Sequence, residues 1–225
     1  MEQHVSNSRR NFISAMAMGV TASSLSILTN PIFANDARFF PSQLDEADNW
    51  FKNIKGKHRI VYDGAMPNNG FPVIWNWAFY ETNNQTGSND KDITAVTVFR
   101  HGASGLGFSD IIWEKYQLGN VLKVTDSKTQ NPSIRNLYYE PKQGDFPLPD
   151  IQGIKKLQER GALFCVCDLA TKKLTKTLAE KMNLNPADVY TEWIKHLLPG
   201  VQLVPSGVWA LGRAQEHGCG YIYAG

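Results

Sequence analysis

Five short apolar runs dictate what this chain can become. They are His58–Asp63, Ile93–Arg100, Ala162–Cys167, Val201–Pro205 and Tyr221–Tyr223. Each is strand-length, and each of the first four is followed by a turn and a stretch of helical spacing. Such alternation builds a mostly parallel sheet with helices on both faces. Ala162–Cys167 is almost wholly apolar, as befits a strand buried on both sides. The expected fold class is therefore α/β, a three-layer, doubly wound, mostly parallel sheet of about five strands.

The helices between the runs carry start and stop signals. Pro72 falls in the first turn of a helix beginning near Asn69 and Gly70, with Val73, Trp77 and Tyr80 at helical spacing. Ser109 is placed to cap a short helix that carries Ile112, Trp113 and Tyr116. Asp150 is placed to cap another, with Ile151, Ile154 and Leu157 inward and Gly161 at its end. After the third run, Leu169, Leu174, Leu178 and Met182 are expected to face inward. Pro186 opens the next helix, with Val189, Trp193 and Leu197 inward. Ser206 caps a helix over Gly207–His217, closed by Gly218.

Two regions fall outside this pattern. Residues 35–56 read as a polar lead-in with one short helix from Leu44 to Phe51. Residues 117–149, with Pro132, Pro141, Pro147 and Pro149, are the least regular part: a lid, a contact surface or an insertion with small strands of its own.

Residues 1–34 read as an address rather than structure. Arg9 and Arg10 precede Asn11, Phe12 and Ile13, a mildly apolar stretch runs from Ala15 to Leu28, and Ala34 ends a small-residue cleavage site. The pattern resembles a twin-arginine export signal, whose Ser/Thr/Gly/Ala-rich core suits a route that carries folded cargo. It implies contact with the twin-arginine translocase and a periplasmic or otherwise exported protein, soluble once the signal is removed. The apolar run is too short and polar for a membrane span.

Composition excludes several classes. The 225 residues, with 23 Lys+Arg against 21 Asp+Glu, carry a formal charge of +2, which leaves no basic footprint for nucleic acid. Three cysteines are too few for a disulfide scaffold, and an odd number leaves a thiol unpaired.

Sites in a doubly wound sheet form beyond the carboxyl ends of the strands. That rule selects Met66 after the first strand, His101 after the second, Cys167 and Asp168 after the third and Ser206 after the fourth. Cys167 stands where a strand meets a helix N-terminus, whose dipole favours a thiolate, and Lys172 and Lys173 lie about a turn further on. Asp168 opposes this by raising the thiol pKa. Cys165, two residues earlier on the same strand face, is expected to pack in the core. Cys219 precedes the last strand at the opposite pole, free to face solvent or another chain. His101 is a candidate proton donor. Gly102, Gly105 and Gly107 do not form a dinucleotide loop, no hydrolase elbow is present, and no spacing supports zinc. No cofactor or metal is expected; a haem or metal carried by His101 or Met66 is a weaker alternative.

Leu198 to Val208, then Ala214 to Gly218, Tyr221 and Ile222 resemble the corresponding stretches of the DsrE-like sulfur-relay family (DsrE, DsrF and DsrH). The resemblance covers residues 57–225, with 117–149 as an addition. It implies a persulfide-forming cysteine at Cys167, assisted by His101, with a sulfur donor or acceptor protein as partner and assembly into homo-oligomers. The other reading is a non-enzymatic binding or assembly module in which the pole formed by Met66, His101, Cys167 and Ser206 holds a small ligand or only packs, with Met66, Asp168 and Ser206 as the ligand-binding candidates.

Overall fold

The structure, a computed structural model, describes residues 41–224. The export signal expected at 1–34 and the start of the lead-in lie outside the described residues. Among those described, no helix is long and apolar enough to cross a membrane.

One five-stranded parallel sheet organises the chain. Its strands are β1 (His58–Gly64), β2 (Ile93–Phe99), β3 (Leu163–Cys167), β4 (Val201–Val204) and β5 (Gly220–Tyr223), in the order β4-β3-β2-β1-β5. Every pairing is parallel. The helices are α1 (Pro41–Trp50), α2 (Phe71–Gln85), α3 (Asp110–Lys115), α4 (Leu118–Leu122), α5 (Ile154–Glu159), α6 (Asp168–Met182), α7 (Pro186–Lys195) and α8 (Gly207–Glu216). The α/β three-layer architecture expected from the alternating runs is the one observed.

Strand periodicity sorts the core into two clusters, because successive side chains point to opposite faces. Ile60, Tyr62, Ala95, Phe99, Phe164 and Val166 face one way, packed with Val73, Leu178 and Trp193 from α2, α6 and α7. Val61, Val96, Val98, Cys165 and Val204 face the other way, packed with Ala210, Leu211 and Ala214 of α8. The crossovers after β1, β2 and β3 thus run over the first face, and only α8 returns over the second. Adjacent strands β3 and β4 therefore send their following helices to opposite faces, and a crevice forms at such a switch.

Several local expectations are corrected. Residues 41–56 are not a mere lead-in. Ala47, Phe51 and Ile54, at helical spacing, are buried in the second cluster. Asp150 caps nothing: α5 starts at Ile154 with Gly153 as N-cap. The amides of Ile154 and Lys155 instead meet the carbonyls of Tyr138 and Tyr139 at 2.8 and 3.3 Å. Ser109 holds the N-cap position of α3, but its buried hydroxyl finds no partner among the described residues. In α6, Leu169 and Met182 are 42% and 41% exposed, and the buried stripe is Asp168, Thr171, Thr175, Leu178 and Ala179. Thr171 and Thr175 can be buried because their hydroxyls donate to the carbonyls of Cys167 and Thr171.

Residues 117–149 have little regular structure yet are firmly tied down. Leu137, Tyr138 and Phe146 join the first core cluster. The Asn136 side-chain amide donates to the carbonyls of Leu106 and Phe108 at 2.7 and 2.9 Å. Arg135 pairs with Asp145 at 2.6 Å and Asp126 at 3.1 Å.

Candidate functional site

All five residues selected from the sequence follow strand ends at the carboxyl pole, but they do not form one site. Cys167 lies at the β3–β4 switch. Its alternation with Cys165 places its side chain on the face covered by α8. The thiol is the N-cap of α6 and accepts a hydrogen bond from the Ala170 amide at 3.3 Å. The amides of Leu169 and of Gly207, the first residue of α8, also act on it. Two helix N-termini thus converge on one sulfur, each presenting backbone donors and a positive dipole end.

That cradle needs Gly207. A Cβ there would come within 2.5 Å of the Arg100 Cβ. Arg100, following β2, lies over the glycine and turns its guanidinium to Asp63 at the end of β1, with Nε–Oδ1 2.5 Å and Nη2–Oδ2 2.9 Å. The Tyr221 hydroxyl from β5 donates to the same carboxylate at 2.8 Å. Asp63 is 2% exposed, and its hydrogen bonds hold the Arg100 pKa above the ordinary guanidinium value. Sequence reasoning identified both strand ends but missed this cluster; opposite charges at the carboxyl ends of adjacent strands were the available signal.

The electrostatics of Cys167 balance opposing effects. Burial, with the residue 6% exposed, pushes the thiol pKa up; the amides of Ala170, Gly207 and Leu169 pull it down, and the Asp168 charge adds to the rise. The net direction is upward, so the resting group is a protonated thiol. Lys172 supplies no direct relief: its Nζ sits 2.8 Å from the Asp168 carboxylate and over the Tyr190 ring. The Tyr190 hydroxyl donates to Asp168 at 2.6 Å. Asp168 is 1% exposed, and with these partners the carboxylate braces α6 against α7. The Ser206 hydroxyl accepts from the Trp209 amide at 3.2 Å and caps α8. Leu169 and Val208, at the first turns of α6 and α8, are both exposed apolar side chains.

Met66 and His101 stand apart from this sulfur. Met66 lies against Gly102 so closely that a Cβ there would come within 2.6 Å of its sulfur. It forms part of a cavity of about 410 Å³ lined with Pro67, Asn68, Asn69, Leu122, Lys123 and Val124. His101 is exposed with a left-handed backbone (φ 48°), its carbonyl accepting from Ser104. Its ring makes no hydrogen bond or ion pair with any described residue, Cys167 included.

The other two cysteines are buried. Cys165 is fully enclosed, and burial pushes its thiol strongly up. Cys219 precedes β5 at the amino pole, as expected; it is 7% exposed, so of the two alternatives it does not face solvent, and burial raises its pKa to about 11. All three thiols are unbridged. Among the described residues, no group of three or more His, Cys, Asp or Glu is placed to hold a metal.

No protein-family model matches the chain, and no curated protein matches it. Among solved structures, a protein of unknown function from Methanobacterium thermoautotrophicum is similar at 16% identity and a TM-score of 0.38, covering 74% of this chain and 98% of its own.

Proposed function

We propose that this chain is an exported, DsrE-like sulfur-handling protein with Cys167 as its sulfur carrier. The observation that carries the reading is the convergence of α6 and α8 amides on the Cys167 sulfur at the β3–β4 switch. Backbone donors at two helix N-termini favour the anionic form of whatever occupies that point. In the transfer step, the Cys167 thiol loses its proton to solvent and its sulfur attacks the sulfane sulfur of a persulfide or polysulfide donor. A sulfur–sulfur bond forms on Cys167, and the donor leaves as a thiolate. An acceptor thiolate then takes the terminal sulfur and returns Cys167 to the thiol.

Burial has a use in this scheme. Oxidation of cysteine follows thiolate character and exposure. A protonated, enclosed thiol survives in an oxidising compartment where an exposed thiolate would not. The exposed apolar side chains of Leu169 and Val208 suit a docking donor or acceptor that opens the mouth.

The test is intact-protein mass spectrometry after incubation with inorganic polysulfide, with peptide mapping. The expected result is one added sulfur on Cys167 and none in Cys167→Ser. Absence of added sulfur on Cys167, or equal loading of Cys165 and Cys219, would sink the reading.

A further inference from the structure

The cavity beside Met66 lies away from the Cys167 cradle, and none of Cys167, Asp168 or Ser206 lines it. Its walls have two characters. Met66, Pro67, Leu122 and Val124 make an apolar surface, and Asn68, Asn69 and Lys123 make a polar one. Lys123 is the charged residue among the described lining residues, none of which is a carboxylate; its backbone amide donates to the Gly119 carbonyl, and its side chain makes no hydrogen bond or ion pair with any described residue. Asn68 is tethered through its side-chain amide to the Ala224 carbonyl at 3.4 Å. Asn69 has no side-chain partner among the described residues.

The backbone around this cavity is unusual. Asn68, Asn69 and Lys123 all have positive φ, at 40°, 50° and 55°. Asparagine visits that region readily, and Lys123 adopts it as the left-handed C-cap of α4, so the strain there falls on the lysine alone. The second wall is also fixed. The Val124 amide donates to the Gly119 carbonyl and its carbonyl accepts from Ser133, so Lys123 is held at the edge of an anchored segment. At a water's share of about 30 Å³, the volume corresponds to about fourteen waters.

We infer that this cavity is a binding site for a small organic monocarboxylate. Its apolar body lies along Met66, Leu122 and Val124, and its charged end meets Lys123 and the Asn69 amide. An exposed lysine beside an apolar wall, with no carboxylate among the described lining residues, favours a ligand with one anionic end. Pockets of this size commonly bind by an apolar lining with a few polar groups that fix orientation.

Hexanoate, hexanamide and hexylammonium share one body and differ in the head group, so they separate charge from shape. The ¹H–¹⁵N spectrum of the full chain is titrated with each, and with inorganic phosphate. Hexanoate is expected to shift the amides of Met66, Asn68, Asn69 and Leu122–Val124 with saturation. Hexanamide should bind about tenfold more weakly, the factor of one charge-assisted hydrogen bond, and hexylammonium should not bind. Lys123→Gln should reduce hexanoate to the hexanamide level, and Lys123→Asn, which tolerates positive φ, should do the same if Gln perturbs the fold. Equal binding of hexanoate and hexanamide, or no loss in either Lys123 variant, overturns the carboxylate assignment. Phosphate binding as strong as hexanoate overturns the role of the apolar wall. Saturable shifts confined to residues 167–170 and 207, or none at all, overturn the site. Cys167→Ser should leave hexanoate binding unchanged, since the site is independent of the sulfur.

Discussion

Phe51→Ala tests whether residues 41–56 belong to the fold. The ring is fully buried. It meets Trp50 edge-on at 4.9 Å and Trp209 at 5.6 Å, and stacks on His217 at 6.2 Å. Around it lie Ala47 and Ile54 from its own segment and Ala210 and Ala214 from α8. Removing a buried Phe ring costs about 3–5 kcal/mol in transfer and cavity terms, and two edge contacts place this site in the upper half of that range. For a domain of this size each kcal/mol lowers the Tm by about 2–4 °C, which gives a fall of roughly 8–20 °C. The assay is urea unfolding of the full chain, followed by circular dichroism and read as a midpoint shift at unchanged slope. Leu44→Ala, at a 39% exposed position of the same segment, is the control and should stay within about 0.5 kcal/mol. A loss below about 1 kcal/mol for Phe51→Ala would mean that the segment does not dock and that the burial argument is wrong.

Other consequences follow from the same packing. Asn136→Ala leaves two carbonyls, those of Leu106 and Phe108, without their donor; a loss of about 2–4 kcal/mol is expected, with faster proteolytic cutting in 117–149. Gly207→Ala drives a Cβ into Arg100; a cost of about 1–3 kcal/mol is expected, along with faster alkylation of Cys167 as the cradle opens. The Cys219 thiol, pushed up to about 11, keeps its proton in the folded chain while the unfolded chain loses it near 9. Its contribution is therefore complete below about pH 9 and fades as pH rises towards 11, by about 2 kcal/mol; the stability difference between wild type and Cys219→Ala should shrink over that window, and a difference flat from pH 8 to 11 would refute it.

The sheet was legible because period-two burial and turn residues act locally. Each strand end was placed within a residue or two, and Pro72, Pro186 and Ser206 marked helix starts where the chain begins them. The errors arose where a distant partner replaced a local signal. Asp150 looked like a cap, but the Tyr138 and Tyr139 carbonyls took the amides it would have held. Leu169 looked like core, but α7 presents Tyr190 to Asp168, which rotates the buried stripe of α6 onto threonines. The segment holding Phe51 looked polar because its charged and amide side chains outnumber its apolar ones, although Ala47, Phe51 and Ile54 already carried the helical spacing.

The carboxyl-pole rule found the right end of the sheet but not its division, because the rule is one-dimensional: it orders loops along the strands and is silent on which face each following helix takes. That choice depends on the order β4-β3-β2-β1-β5, in which α8 alone returns over the second face. Once it is known, the residues separate by parity. Asp63, Arg100 and Cys167 share the side covered by α8, and the chain that walls Met66 comes from residues 122–124 on the other. A single pole therefore offers two chemically distinct positions, an enclosed sulfur between helix N-termini and an open, cationic, apolar-walled cavity. The variants Cys167→Ser and Lys123→Gln should act independently: sulfur loading should respond only to the first, hexanoate binding only to the second, and the double variant should show the two losses without coupling.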